Sequence, residues 1–256
     1  PAHYLGLPEY QRTYNAVEFL WERAKSDGWY LQGSYTFSKS LGNVEGYVNS
    51  TLEQEDAGLT QDFDFAALEQ GAYGYLPNDR RHSLKLFGAY DLDDQWTVSA
   101  NLVIQSGRPV SCFGFVPTEA LEIGQPDEGT LGLYSASSFY CPDPNGGLAI
   151  TDAGPDGLVG TSDDFDRRYR LGNRGDQGRT PWTKTLDLGV SYVPLWANKK
   201  LTLQASVLNV LNSQSVTEFN ETSQRTRLDV STQPDFLNDV NYQTPRSLEL
   251  TARYRF

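Results

Sequence analysis

Seven separate stretches of this chain alternate apolar and polar side chains with a period of two, and that pattern leaves few folds open. The clearest is Trp29 to Ser38, with Trp29, Leu31, Gly33, Tyr35 and Phe37 on one side and Tyr30, Gln32, Ser34, Thr36 and Ser38 on the other. The same rhythm runs through Ser83–Tyr90, Trp96–Gln105, Thr185–Tyr192, Leu201–Leu208 and Ser247–Phe256. A looser copy near the start turns Val17, Phe19 and Trp21 one way. Apolar residues at helical spacing are scarce, so these stretches are expected to be amphipathic strands.

The connections between them fall into two kinds. Residues 24–28, 91–95 and 194–200 are short links, whereas roughly 41–80, 107–182 and 212–245 are long. Long structureless loops are unusual in compact soluble sandwiches. Strict alternation of tight turns with long loops, on strands of about ten residues, is the habit of an antiparallel up-and-down transmembrane β-barrel. The tryptophans support that fold. Trp21, Trp29, Trp96 and Trp196 all fall at the short-turn end, with Tyr254, as an aromatic girdle at a membrane interface would place them; only Trp182 falls at the other.

Composition closes other routes. Mean hydropathy of −0.52 and 38% hydrophobic residues leave no stretch long enough for a membrane-spanning helix. A net charge of −12 argues against nucleic acid as a partner. Aromatics at 12% are too many for a disordered chain. There is no Met and no signal-peptide pattern, and the chain is expected to be a piece of a longer protein. Strand parity agrees. The last strand ends opposite the long loops, so counting back seven strands starts the chain on the loop side, whereas bacterial barrels hold an even number of strands. Residues 1–256 are therefore expected to be the C-terminal portion of an outer-membrane barrel. Its C-terminus would be periplasmic and its long loops extracellular.

A family resemblance attaches to particular residues. The terminal Thr251-Ala252-Arg253-Tyr254-Arg255-Phe256 looks like the last strand of bacterial outer-membrane proteins, and the resemblance makes Phe256 the signal read by the barrel-assembly machinery. Ala205 to Asn212 resembles a late, Asn-rich strand of TonB-dependent receptors. Tyr14-Asn15-Ala16-Val17-Glu18, Gly33 to Ser40 and Asn78-Asp79-Arg80-Arg81-His82 are similar to the Oar-like branch of that family. The resemblance implies a barrel of about 22 strands around a plug, with outer-membrane lipid and the TonB complex as partners. The plug, the TonB box and the N-terminal strands would lie outside this chain.

Candidate sites are few. Cys112 and Cys141 are the only cysteines, both in the second long loop, and are expected to form a disulfide that stabilises that loop by roughly 3.5 kcal/mol. In Asp152 to Asp164, acids at positions 1, 5 and 12 and Gly157 at the turn position suggest a calcium loop built from Asp152, Asp156, Asp163 and Asp164. Gly154 at position 3 and Asp163 in place of a bidentate Glu count against it, and a solvated acidic turn is the competing reading. No other cofactor is expected. Neither of the two histidines, His3 and His82, is near a Ser or Cys in a nucleophile turn, and no phosphate-cradling glycine pattern occurs, so no enzyme is expected. Acids dominate the loops, with eight acids to one base, Arg80, over 41–80, which would give the outer mouth a negative field. Glu18, Lys85, Asp187, Glu249, Arg253 and Arg255 are expected to face the interior and pair there.

Three functions are compatible with this pattern. The resemblance implies a TonB-dependent receptor that takes up a bulky substrate through a plugged barrel. A passive porin or adhesin-like barrel would need no TonB coupling. A soluble secreted β-sandwich binding carbohydrate would need its apolar faces covered by a second sheet.

Overall fold

The computed structural model describes residues 7–46, 49–52, 63, 64, 66–117, 136–152, 160–162, 164–226 and 231–256. The strands among them are β1 (Arg12–Ser26), β2 (Trp29–Gly42), β3 (Gly74–Tyr75), β4 (His82–Asp91), β5 (Trp96–Gln105), β6 (Tyr140–Pro142) and β7 (Leu148–Asp152). They continue with β8 (Phe165–Leu171), β9 (Thr183–Tyr192), β10 (Leu201–Leu208), β11 (Val216–Phe219), β12 (Asp239–Tyr242) and β13 (Ser247–Tyr254). One sheet runs β1-β2-β4-β5-β9-β10-β13, with β3 added to the end of β2. All its ladders are antiparallel. These seven long strands are the seven alternating stretches of the sequence. The sheet is open, with β1 and β13 as its edges.

Register puts every apolar face on the same side. Trp29 lies opposite Tyr90, Tyr90 opposite Val98, Val98 opposite Val190, Val190 opposite Ala205 and Ala205 opposite Leu250. Nearer the long connections, Leu86, Leu102 and Leu186 pair in the same way. A slip of one residue in any ladder would send that strand's apolar set to the polar face, so the shared pattern holds the alignment. Ring packing reinforces it at Gly33, where a Cβ would meet Trp21 ring atoms at 2.2–2.4 Å, so the indole lies flat over the glycine.

Short turns join the strands where turn chemistry demands. Asp27 (φ 53°) and Gly28 (φ 81°) are both left-handed, as a two-residue type I′ hairpin requires. Asp93 closes the next turn, its Oδ1 accepting the N–H groups of Gln95 (2.7 Å) and Trp96 (2.8 Å). Asn209 (φ 48°) and Asn212 (φ 49°) bend the chain after β10. Asn209 is buried, donating from Nδ2 to the carbonyls of Ser213 (2.9 Å) and Thr244 (2.8 Å) and accepting the Ser213 N–H (3.0 Å). Asn tolerates this backbone and supplies both hydrogen-bond senses, which accounts for the Asn-rich motif.

The sheet itself encloses no core. Its apolar face is open, with Phe19 59%, Leu188 44% and Leu250 72% exposed. Buried side chains gather instead in the long connections, where Leu76, Val110, Phe113, Phe139 and Tyr169 are each at most 2% exposed. Two small sheets, β6-β8-β7 and β11-β12, and a four-residue helix, Ala66–Glu69, lie there too. The sequence reading missed all three.

Candidate functional site: the interlocked long connections

Three long connections meet at one end of the sheet: 43–81, 106–182 and 209–246. They are tied by ionic contacts that no local spacing announces. Asp79, fully buried, accepts the Ser40 N–H at 2.5 Å through Oδ1 and pairs through Oδ2 with Arg179 and, at 3.8 Å, with Arg81. Arg179 also donates to the carbonyls of Asp79 (3.1 Å) and Gly107 (3.0 Å), so it joins the first connection to the second. Arg174, 2% exposed, reaches back to the carbonyls of Ala72 (2.8 Å) and Asn43 (3.2 Å) and lies 5.1 Å over the Phe139 ring. Arg108 joins the second connection to the third, pairing with Glu221 at 2.6 Å and Glu218 at 3.5 Å.

Glu221 also accepts the Ser111 N–H at 2.6 Å. Burial pushes its carboxyl above the usual carboxylate range, against the opposing pull of Arg108 and the Ser111 N–H. Because its folded value lies above its unfolded one, its contribution to stability is complete below the ordinary carboxylate range. That contribution is lost as pH rises through the raised value. Thermal unfolding followed between about pH 4 and pH 7 should therefore show a falling component that Glu221→Gln removes. An unchanged slope in that variant would contradict the assignment.

The disulfide Cys112–Cys141 is present, with Cα atoms 6.1 Å apart and both cysteines buried. Of the proposed calcium ligands, Asp156 and Asp163 lie outside the described residues, and Asp152 ends β7. Asp164 is occupied locally, its Oδ2 accepting the N–H groups of Gly160 (2.5 Å) and Thr161 (3.1 Å). Phe256, beyond β13, is fully exposed and its ring meets that of Tyr254 edge-on at 5.4 Å.

The polar face departs from expectation. Among the described residues, Glu18, Lys85, Asp187, Glu249, Arg253 and Arg255 form no ion pairs with one another. Asp187 instead accepts from Asn101 Nδ2 (3.1 Å) and the Asn209 N–H (2.8 Å), and Glu18 from the Thr36 hydroxyl (3.3 Å). Nor is the loop end uniformly acidic, since Asp79, Glu218 and Glu221 are each met by arginine.

Aromatic side chains mark both ends of the apolar face. At the short turns Trp96 stacks on Tyr192 with centroids 4.3 Å apart, and Arg23 covers Trp29 at 4.0 Å. Trp196, in the turn after β9, is 75% exposed. At the long connections His82 stacks on Trp182 (5.5 Å), packs beside Phe37 (5.2 Å) and hydrogen-bonds the Tyr35 hydroxyl (2.8 Å). Counting tryptophans alone hid this second row. The strand parity of Tyr35, Phe37 and His82 would have disclosed it. From Trp29 to Phe37 the strand runs roughly 27 Å, which at the tilt of a membrane barrel becomes a band about 20 Å tall.

A family model described as "Outer membrane beta barrel domain" matches residues 5–234. The chain belongs to this outer-membrane β-barrel family. Among curated proteins, the chain is similar to the TonB-dependent transporter Oar of Myxococcus xanthus. The two are 24% identical over 289 residues, covering 98% of this chain and 23% of that protein. Similar solved structures include the ferric-catecholate import receptor Fiu of E. coli K12, at 16% identity and TM-score 0.46, covering 96% of this chain and 21% of that one. The siderophore receptor PiuA of Acinetobacter baumannii is similar at 13% identity and TM-score 0.45, covering 96% of this chain and 22% of that one. The named relatives are a transporter and two receptors.

Proposed function

We propose that the chain is the C-terminal part of the barrel of a TonB-dependent outer-membrane receptor, which takes up a bulky substrate through a plugged lumen. One observation carries this reading: seven strands in consistent register present a single continuous apolar face that nothing among the described residues covers. Water would make that face costly at about 25 cal/mol per Å2, whereas hydrocarbon makes it favourable. The polar face then lines the lumen, and the aromatic rows, with Trp21, Trp29, Trp96, Trp196 and Tyr254 on the periplasmic side, sit at the two interfaces. Strands outside this chain would close the sheet through its β1 and β13 edges, and the interlocked connections would form part of the extracellular mouth. Similarity to a TonB-dependent transporter supports energised uptake rather than passive diffusion.

The test uses the full-length receptor in bilayers carrying brominated acyl chains. Fluorescence of Trp29 and Trp96 should be strongly quenched, and unquenched tryptophans would refute lipid contact. Uptake measured in cells with and without TonB separates the two membrane readings. Uptake that persists without TonB would favour a passive porin.

A further inference from the structure

Beyond the aromatic row at the long connections, the charge of the molecule reverses. The chain carries a net charge of −12, yet Lys39, Arg81 and Arg179 gather around one ring and Arg80 lies within electrostatic reach of Arg179, with Asp79 as the only acid paired to any of them among the described residues. Lys39 Nζ lies 5.6 Å from the Tyr75 ring centroid, and the guanidinium carbons of Arg81 and Arg179 lie at 5.3 Å and 5.4 Å. Three cations around one ring each gain from its quadrupole but repel one another. Asp79 pairs with Arg179 and Arg81, and among the described residues neither Lys39 nor Arg80 forms an ion pair.

Arg80 is half-buried, and its guanidinium is held below its usual range by burial first and then by the charges of Arg108 and Arg179. A crowd of cations with one acid is a poor resting arrangement and a good seat for an anion. Its place on the sheet identifies which anion. Lys39 stands two residues beyond Phe37 on the same, apolar face of β2, and Arg81 lies 5.9 Å over the Phe37 ring. A solute in the lumen would be met on the opposite face. At this height, just past an aromatic row, a lipid-facing surface meets headgroups.

We propose that Lys39, Arg81 and Arg179, gathered around Tyr75, together with the neighbouring Arg80, seat the phosphate of an anionic lipid headgroup on the outside of the barrel. The proposal rests on the apolar face lying in lipid. It assigns to the Asn78–His82 motif a contact that the transport reading does not use.

The full-length receptor is reconstituted in phosphatidylcholine nanodiscs with and without phosphatidylglycerol. The readouts are the phosphatidylglycerol retained after detergent extraction, counted by native mass spectrometry, and the thermal unfolding midpoint. Wild type should retain phosphatidylglycerol and unfold later in its presence. Lys39→Gln and Arg80→Gln should each lower retention about fivefold. Among the described residues neither side chain makes a hydrogen bond or an ion pair, so both variants should fold. Lys85→Gln removes the same charge from the polar face and should leave retention unchanged.

Wild-type retention in Lys39→Gln and Arg80→Gln, or an equal loss in Lys85→Gln, would overturn the proposal. So would inorganic phosphate that raises the midpoint in phosphatidylcholine alone as far as phosphatidylglycerol does, since the seat would then be one for free anions. Quenching of Trp29 and Trp96 by brominated chains without any headgroup preference defeats this inference alone. Absence of quenching defeats the barrel reading with it.

Discussion

Asp79→Ala is expected to cost about 3–5 kcal/mol, because it leaves Arg179 among buried groups without its carboxylate and orphans the Ser40 N–H. Asp79→Asn should cost less, since an amide oxygen still accepts from Ser40 while the charge on Arg179 goes unanswered. Denaturant unfolding of the receptor measures both, and limited proteolysis locates the damage. New cleavage should appear in 43–81 and 106–182, the connections that Arg179 holds together, while the strands stay protected. If Asp79→Ala unfolds no more easily than wild type, the clamp contributes nothing and the buried pair is incidental.

Leu102→Arg is expected to cost about 2–4 kcal/mol, the range for a cation near the lipid-facing midplane of a membrane barrel. Leu102 sits mid-strand on the apolar face, between Leu86 and Leu186 on the neighbouring strands. Asn101→Arg, one residue away on the polar face, should change stability far less, because the guanidinium projects into the lumen. Reversible folding of the receptor into lipid vesicles measures the difference. Equal costs at 101 and 102 would mean that both faces meet the same medium, which no membrane barrel allows.

The large sheet was legible because each strand carries its own evidence. Alternation from Trp29 to Ser38 defines a buried-or-bilayer side without reference to any other residue, and Asp27-Gly28 marks its turn. Predicted strands at 96–105 and 201–208 coincide with β5 and β10, and 185–192 misses β9 by two residues. The long connections offered no such signal. Their strands β6, β7, β11 and β12 are three to five residues long, too short for a period to register. Their clamps join residues far apart, with Arg108 and Glu221 separated by 113 positions and Arg174 and Asn43 by 131. Charge counting read the loops as acidic and could not show which charges pair, as Arg179 does with Asp79 and Arg108 with Glu221. The cysteines were the exception, since a lone pair in one loop has one partner to choose.

Six reversals separate β1 from β13, so the two unpaired edges of the sheet run in the same direction. Copies of this chain standing the same way up in a membrane could join these edges only as parallel ladders. Antiparallel joining, β1 to β1 or β13 to β13, needs a twofold axis that turns one copy upside down and sends its loops through the opposite leaflet. A bilayer forbids that inversion and free solution does not. Closing the sheet into a barrel with every ladder antiparallel therefore takes an odd number of further strands between β13 and β1, and the closed barrel leaves neither edge to a second copy.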